Sequence, residues 1–248
     1  DYTHYVDYHG LGSGWEMFGA EYKLAKADPY PIKTYIDYGL DKEGIKEEFK
    51  IDPMTSLIEH LGSIGKGEQF WIQFLLKVPE SSYRIKSGKK KGKMGDWKEE
   101  GKAVIDELTK RNEKTPEGMP VFKMMMATKG ENEVIAAIER SMGKYGFECG
   151  IRAIYLAKKD NYDGSQAKAL GGLFRPFSSG TLNGFKYLHQ SIGPDFPWQQ
   201  YITFEDFIFL PHIFLKKGVR YAKKRKDQFE AYKHRSWFYL PHKLKPCI

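Results

Sequence analysis

Hydrophobic and polar positions change period several times along the chain, and each change marks an element. "WEMFGAEYKLAK" (15–26) alternates in part and is rich in β-favouring side chains, which predicts a strand. After the "DPYP" break at 28–31, "IKTYIDY" continues as a short extended piece. Asp52 and Pro53 suit a helix entrance, and Leu57, Ile58, Leu61 and Ile64 then share one helical face. "GKG" at 65–67 ends that helix, and "EQFWIQFLLKVP" follows as a buried strand. Residues 81–95, "SSYRIKSGKKKGKMG", keep no packing period and read as a mobile, lysine-rich excursion.

Periodicity returns at Asp96, where Trp97, Val104, Ile105 and Leu108 define an amphipathic helix. Thr128 caps a further helix whose Val134, Ile135, Ile138 and Met142 lie on one face. "FECGIRAIYLAKK" predicts another strand, with Cys149 as a buried, inert thiol. "SQAKALGGLFRPFSS" reads as a helix ended by Pro176, followed by "LNGFKYL" and a Pro/Gly/Gln loop over 190–200. From about Phe204 to Arg235 the pattern predicts a long basic helix, interrupted near Pro211.

Two of these units look alike. "LIEHLGSIGKGEQFWIQFLLK" (57–77) and "AIERSMGKYGFECGIRAIYLAK" (137–158) both run helix, glycine turn, strand, at an offset of 80 residues. Two helix–strand units separated by long excursions predict an α+β sandwich of the ferredoxin-like, split-βαβ kind. Helices on one face of a mostly antiparallel sheet would bury the repeated apolar faces. The expected organisation is a leading loop (1–14), an α+β domain (15–200), and a basic amphipathic C-terminal helix with its tail (201–248).

Composition changes this picture in one respect. With 40 Lys and Arg against 32 Asp and Glu, the 248-residue chain carries a formal charge of +8, which favours acidic partners. The charge gathers in two places. Lys216, Lys217, Arg220, Lys223, Lys224, Arg225 and Lys226 crowd the last helix, and Lys89, Lys90 and Lys91 the excursion after the second strand. Leu215, Val219, Ala222, Phe229 and Tyr232 recur at helical spacing beneath the first group, so that helix is expected to lie on something apolar. Phe207, Phe209, Leu210, Phe214 and Leu215 precede it as a candidate interface for a partner or an acidic lipid surface. A solvated face on an ordinary packed helix accounts for the same charge run. The longest apolar run is far short of the ~20 residues a membrane helix needs.

Candidate chemistry is sparse. "GSIGKG" (62–67) and "GKKKGK" (88–93) lack the Gly-Lys-Ser/Thr ending of a phosphate loop, and "GLGSG" (10–14) opens no dinucleotide fold. His4, Asp7 and His9 could face one metal, but their loose spacing suits a tyrosine-rich terminal segment better. His60 is placed on the wet side of its helix. Gln69, Gln73 and Arg152 interrupt otherwise apolar strands; such an arginine could pair with an acid or reach an anionic partner, but an ordinary half-exposed strand accounts for the alternation better. No nucleophile–base pair, metal set or cofactor motif emerges, so the chain is read as no enzyme and as needing no cofactor. Cationic surface with Trp97, Trp237 and Tyr239 for stacking leaves a nucleic-acid-binding module as the alternative.

"YPIKTYIDYGL", "GEQFWIQFLL", "GFECGIRAIYLAKK", "LGGLFRPFSSGTLNGFK" and "FEAYKHRSWFY" occur in that order. Together they resemble a family of membrane-anchored proteins from small-genome bacteria of the candidate phyla. More distantly they are similar to the region preceding the motor domain in conjugation and type IV secretion ATPases of the TraC/VirB–VirD kind. The resemblance implies ferredoxin-like subdomains and membrane segments ahead of Asp1. It further implies a non-catalytic, membrane-associated component of a transfer apparatus at the cytoplasmic face of a bacterial membrane. Its partners would be other protein subunits, an anionic lipid surface or DNA, within an oligomer or complex. No Walker motif is present, and no catalytic residue carries over.

Overall fold

The computed structural model describes residues 2–6, 8, 12–41, 52–79, 82–88, 90–109, 128–191 and 217–237, with the backbone only at 4–5 and 217–221. Four strands form the central sheet: β1 (Trp15–Leu24), β2 (Glu68–Lys77), β5 (Glu148–Lys158) and β6 (Phe185–Gln190). A small hairpin, β3 (Tyr83–Arg84) with β4 (Met94–Gly95), stands apart from it. The helices are α1 (Thr55–Gly62), α2 (Trp97–Leu108), α3 (Lys129–Met142), α4 (Gly164–Ala169) and α5 (Lys217–Lys233).

The sheet order is β2-β5-β1-β6, and every neighbouring pair is antiparallel. Strands β1 and β2 therefore run parallel to each other with β5 inserted between them. By the same logic β5 and β6 are parallel with β1 between. Each pair brackets a helix in sequence, α1 in the first and α4 in the second, which is the split-βαβ arrangement. The fold is α+β, as the spacing of elements predicts. The sequence repeat is a different matter: it equates β2 with β5, whereas this topology makes β1 the counterpart of β5.

Alternation assigns the two sheet faces. Phe18, Ala20 and Tyr22 on β1 point the same way as Ile151, Ala153, Tyr155 and Ala157 on β5. Leu57 of α1 and Ala167, Leu170, Leu173 and Phe174 after β5 cover that first face. Burying each such large side chain contributes about 1.5–3 kcal/mol before entropy is counted. Met17, Trp71, Ile154 and Leu156 point to the second face, beneath Val6, Tyr8 and α5's Phe229 and Tyr232.

Several local expectations change. On α1 only Leu57 is buried, while Ile58 and Leu61 are exposed, because one turn of an eight-residue helix can meet the sheet. Helix α3 does not cover the sheet; Val134, Ile135 and Ile138 pack with Val104 and Ile105 of α2 in a satellite core. Residues 35–41 form successive turns instead of an extended piece. Cys149 is exposed, because it is the second residue of β5, opposite Leu76 at the uncovered end of the sheet. The Thr128 cap is as anticipated, with Glu131 completing a reciprocal capping box, whereas α1 begins only at Thr55 without a side-chain cap, and Asp52 accepts from the Met54 amide ahead of it.

Candidate functional site

Three polar residues line up across neighbouring strands on the second face. Register sets Glu21 beside Arg152 and Arg152 beside Gln73. Arg152 donates to Glu21 Oε1 from Nε at 2.8 Å and from Nη2 at 2.5 Å, and to Gln73 Oε1 from Nη1 at 3.1 Å. Arg152 is 3% exposed and Glu21 0%. The remaining donors meet the end of α5: Arg152 Nη1 reaches the Ala231 carbonyl at 3.1 Å, its Nη2 the Ser236 carbonyl at 3.3 Å, and Gln73 Nε2 the Tyr232 carbonyl at 3.2 Å. A helix C-terminus leaves carbonyls without intrahelical donors, and a cation there is favoured by the helix dipole. The sheet therefore holds α5 by its last turn.

That turn closes in a Schellman arrangement. The Ser236 amide donates to Ala231 and the Arg235 amide to Tyr232, with Arg235 at φ 51°. Upstream, Arg225 donates to Glu16 at 2.5 Å, Gln228 is buried over Gly19, and Phe229 stacks on Trp71. The basic residues of this helix thus divide. Lys223 and Lys226 are exposed, Lys224 is half-buried, and Arg225 is engaged by Glu16. Lys217 and Arg220 stand on α5 with only their backbone described. Lys216 and the candidate interface, Phe207, Phe209, Leu210, Phe214 and Leu215, lie outside the described residues.

The lysine excursion is an ordered hairpin, contrary to the mobile loop its composition suggests. Ile85 is buried, and its amide bonds the Lys93 carbonyl while its own carbonyl accepts from Gly92. Glu100 on α2 supplies the anchor. Its fully buried carboxylate accepts from the Lys86 amide at 3.1 Å, Ser87 Oγ at 2.5 Å and Tyr83 Oη at 2.5 Å. Burial, with that Glu100 bond, pushes the Tyr83 hydroxyl pKa well up. Gly88 lies so close to Ala103 that any Cβ would collide with backbone, and its φ of 70° favours glycine. Lys90, Lys91 and Lys93 are exposed on this frame, and Lys89 lies outside the described residues.

The two basic groups do not merge. Arg225 meets Glu16 where β1 begins, at the end of the sheet holding Trp15 and Lys158. The hairpin follows Lys77 at the other end, and Lys86 reaches Asp28 beyond the end of β1 at 3.5 Å. A ten-residue strand at ~3.3 Å per residue separates them by roughly 30 Å.

Other candidates resolve simply. The Gly65 amide, which a phosphate loop would aim at its ligand, donates to the Glu68 carboxylate at 2.7 Å. His60 is not on the wet side: its ring stands edge-on to Phe70 at 4.9 Å, and desolvation lowers its pKa. Trp97 is half-buried against Gly146, and Lys77 lies over the Trp237 ring. Tyr239, Asp7 and His9, and the side chain of His4, lie outside what is described. Among the described residues no cluster of His, Cys, Asp or Glu has metal-binding geometry, and no helix is long and apolar enough to cross a membrane.

Glu21 was not singled out by sequence, and Glu100, which beside Glu99 reads as one of an exposed, non-convergent carboxylate pair, is instead fully buried and accepts three hydrogen bonds. A signal existed for each. Glu21 breaks an apolar strand as Arg152 does, and Glu100 falls on the stripe between Trp97 and Val104.

A family model described as a domain of unknown function, DUF8128, matches residues 8–190. The chain belongs to this family. No match to it was found among curated proteins or solved structures. The DUF8128 span ends at Gln190, the last residue of β6, so α5 lies beyond it yet covers the second face of its sheet.

Proposed function

We propose that the chain is a non-catalytic interaction module that docks an acidic partner through the hairpin at 83–95. The anchoring of that hairpin by the buried Glu100 carboxylate carries the reading. Lysines on a fixed frame surrender less side-chain and backbone freedom on binding than lysines on a loose loop. The buried Arg152–Glu21–Gln73 group supports the non-catalytic part, since its donors are spent on holding α5. The resemblance to conjugation and secretion proteins supplies the setting, a subunit of a membrane-associated transfer assembly. The nucleic-acid alternative draws on both basic groups together, and their separation along the sheet weighs against one continuous phosphate track.

The test is elution of the full chain from immobilised poly-glutamate and from an immobilised oligonucleotide as salt is raised. Substituting Lys90, Lys91 and Lys93 with Gln should bring elution forward on poly-glutamate, whereas Lys223→Gln with Lys226→Gln should not. Absence of retention at low salt, or a hairpin variant eluting with the parent, overturns the proposal. Steeper salt dependence on the oligonucleotide, lost equally from both variants, would favour nucleic acid.

A further inference from the structure

Beside the lysine hairpin the first face of the sheet is left open. Leu76 of β2 pairs with Cys149 of β5, and Phe74 with Ile151, so all four point to that face. The register, continued one step past Lys77–Glu148, sets Val78 beside Phe147. Leu76 is 67% exposed, Val78 74%, Phe147 61% and the neighbouring Tyr145 94%. Gly146 between the last two presses on the Trp97 indole, and Met94 of β4, also exposed, lies three residues before that tryptophan. Leu76, Val78, Phe147 and Tyr145 therefore present exposed apolar side chains at this end of the sheet, with exposed Met94 three residues from the Trp97 that Gly146 touches. Monomeric proteins seldom expose large apolar patches without using them.

We propose that this end of the sheet seats the module on an anionic lipid surface, with Phe147, Tyr145 and Val78 entering the interfacial layer and the hairpin lysines meeting headgroups. The proposal rests on the docking function above and names its partner. Charge decides against a second copy of the chain: Lys93, Lys98 and Lys144 are exposed around the aromatic end, and Lys98 lies over the Trp97 ring. Two such rims would repel each other. Nucleic acid is disfavoured because three of the five exposed side chains, Leu76, Val78 and Met94, are aliphatic and offer bases no stacking platform. Aromatic residues beside aliphatic ones, bordered by lysines, fit the headgroup–acyl boundary, where rings concentrate and basic residues add attraction. Of the nearby acids, Glu148 is bridged to Lys77 and Asp96 accepts from the Glu99 amide as the N-cap of α2, leaving Glu99 exposed.

The test is co-sedimentation of the full chain with phosphatidylserine-containing vesicles and with pure phosphatidylcholine vesicles. The parent should bind the first and hardly the second. Tyr145→Ser with Phe147→Ser should lower partitioning about tenfold, while Phe147→Leu largely retains it. Bromine on the acyl chains should quench less fluorescence in Trp97→Phe than in the parent. Serine substitutions that leave partitioning unchanged would overturn insertion while the docking function stands. Retention on poly-glutamate without vesicle binding would overturn the lipid partner alone. Failure on both supports would overturn docking and lipid partner together.

Discussion

Arg152 of β5 donates twice to one oxygen of Glu21 on β1, and the same guanidinium closes the last turn of α5 from beneath. Two charges out of water hold a helix that lies beyond the family domain's span. Removing one member of such a pair strands the other, which costs about 3–5 kcal/mol. Arg152→Ala should therefore lower the urea midpoint by that equivalent and open α5 to proteolysis. Replacing both members, Arg152→Met with Glu21→Met, should recover most of the loss. A single substitution that leaves the midpoint in place would show the pair to be dispensable.

Glu100 has a comparable place under the hairpin. Glu100→Ala removes the acceptor of three donors, at a cost of roughly 2–3 kcal/mol. Hydrogen exchange should report it locally, as lost protection at the Ile85 and Gly92 amides before the central sheet responds.

Arg235 occupies a left-handed position that glycine fills without penalty. Arg235→Gly should stabilise the chain by up to about 1 kcal/mol, measured by urea denaturation. No gain would mean that the arginine side chain contributes more than its backbone loses.

Gln228 is buried with neither amide atom bonded, its Oε1 directed at Gly19. Gln228→Met keeps the length and removes the unsatisfied groups, so a gain of about 1 kcal/mol is expected. A loss would point to a polar contact made in solution.

His60 gives the stability a pH dependence. Desolvation against Phe70 lowers its folded pKa below the ordinary 6.5, so the folded state binds fewer protons than the unfolded chain in that range. The contribution is complete above the unfolded pKa and declines as pH falls below 6.5 toward the folded value. His60→Leu should flatten the stability profile in that window, and an unchanged slope would assign it to other groups.

Local signals were legible where one residue's chemistry settles the outcome. The Thr128 cap, the buried 148–158 strand and the Phe229–Tyr232 stripe all follow from period and side-chain type. Composition misled at 81–95, where a lysine-rich loop is ordered by an acid on the next helix, Glu100, which period alone assigns to an apolar stripe. It also misled at Ile58 and Leu61, since helical spacing says which residues share a face but not how much of that face is covered. The candidate lysines were visible as two charge runs; their standing at opposite ends of the sheet was not.

By itself the sequence determined the α+β class, the amphipathic faces and the excess of positive charge, because these depend on local period and composition. Only the tertiary structure decided that Glu21 meets Arg152, that α5 closes the second face, and that Leu76, Val78 and Phe147 stay uncovered. Those relations depend on strand order and register, which bring together residues far apart in sequence and which no local pattern encodes.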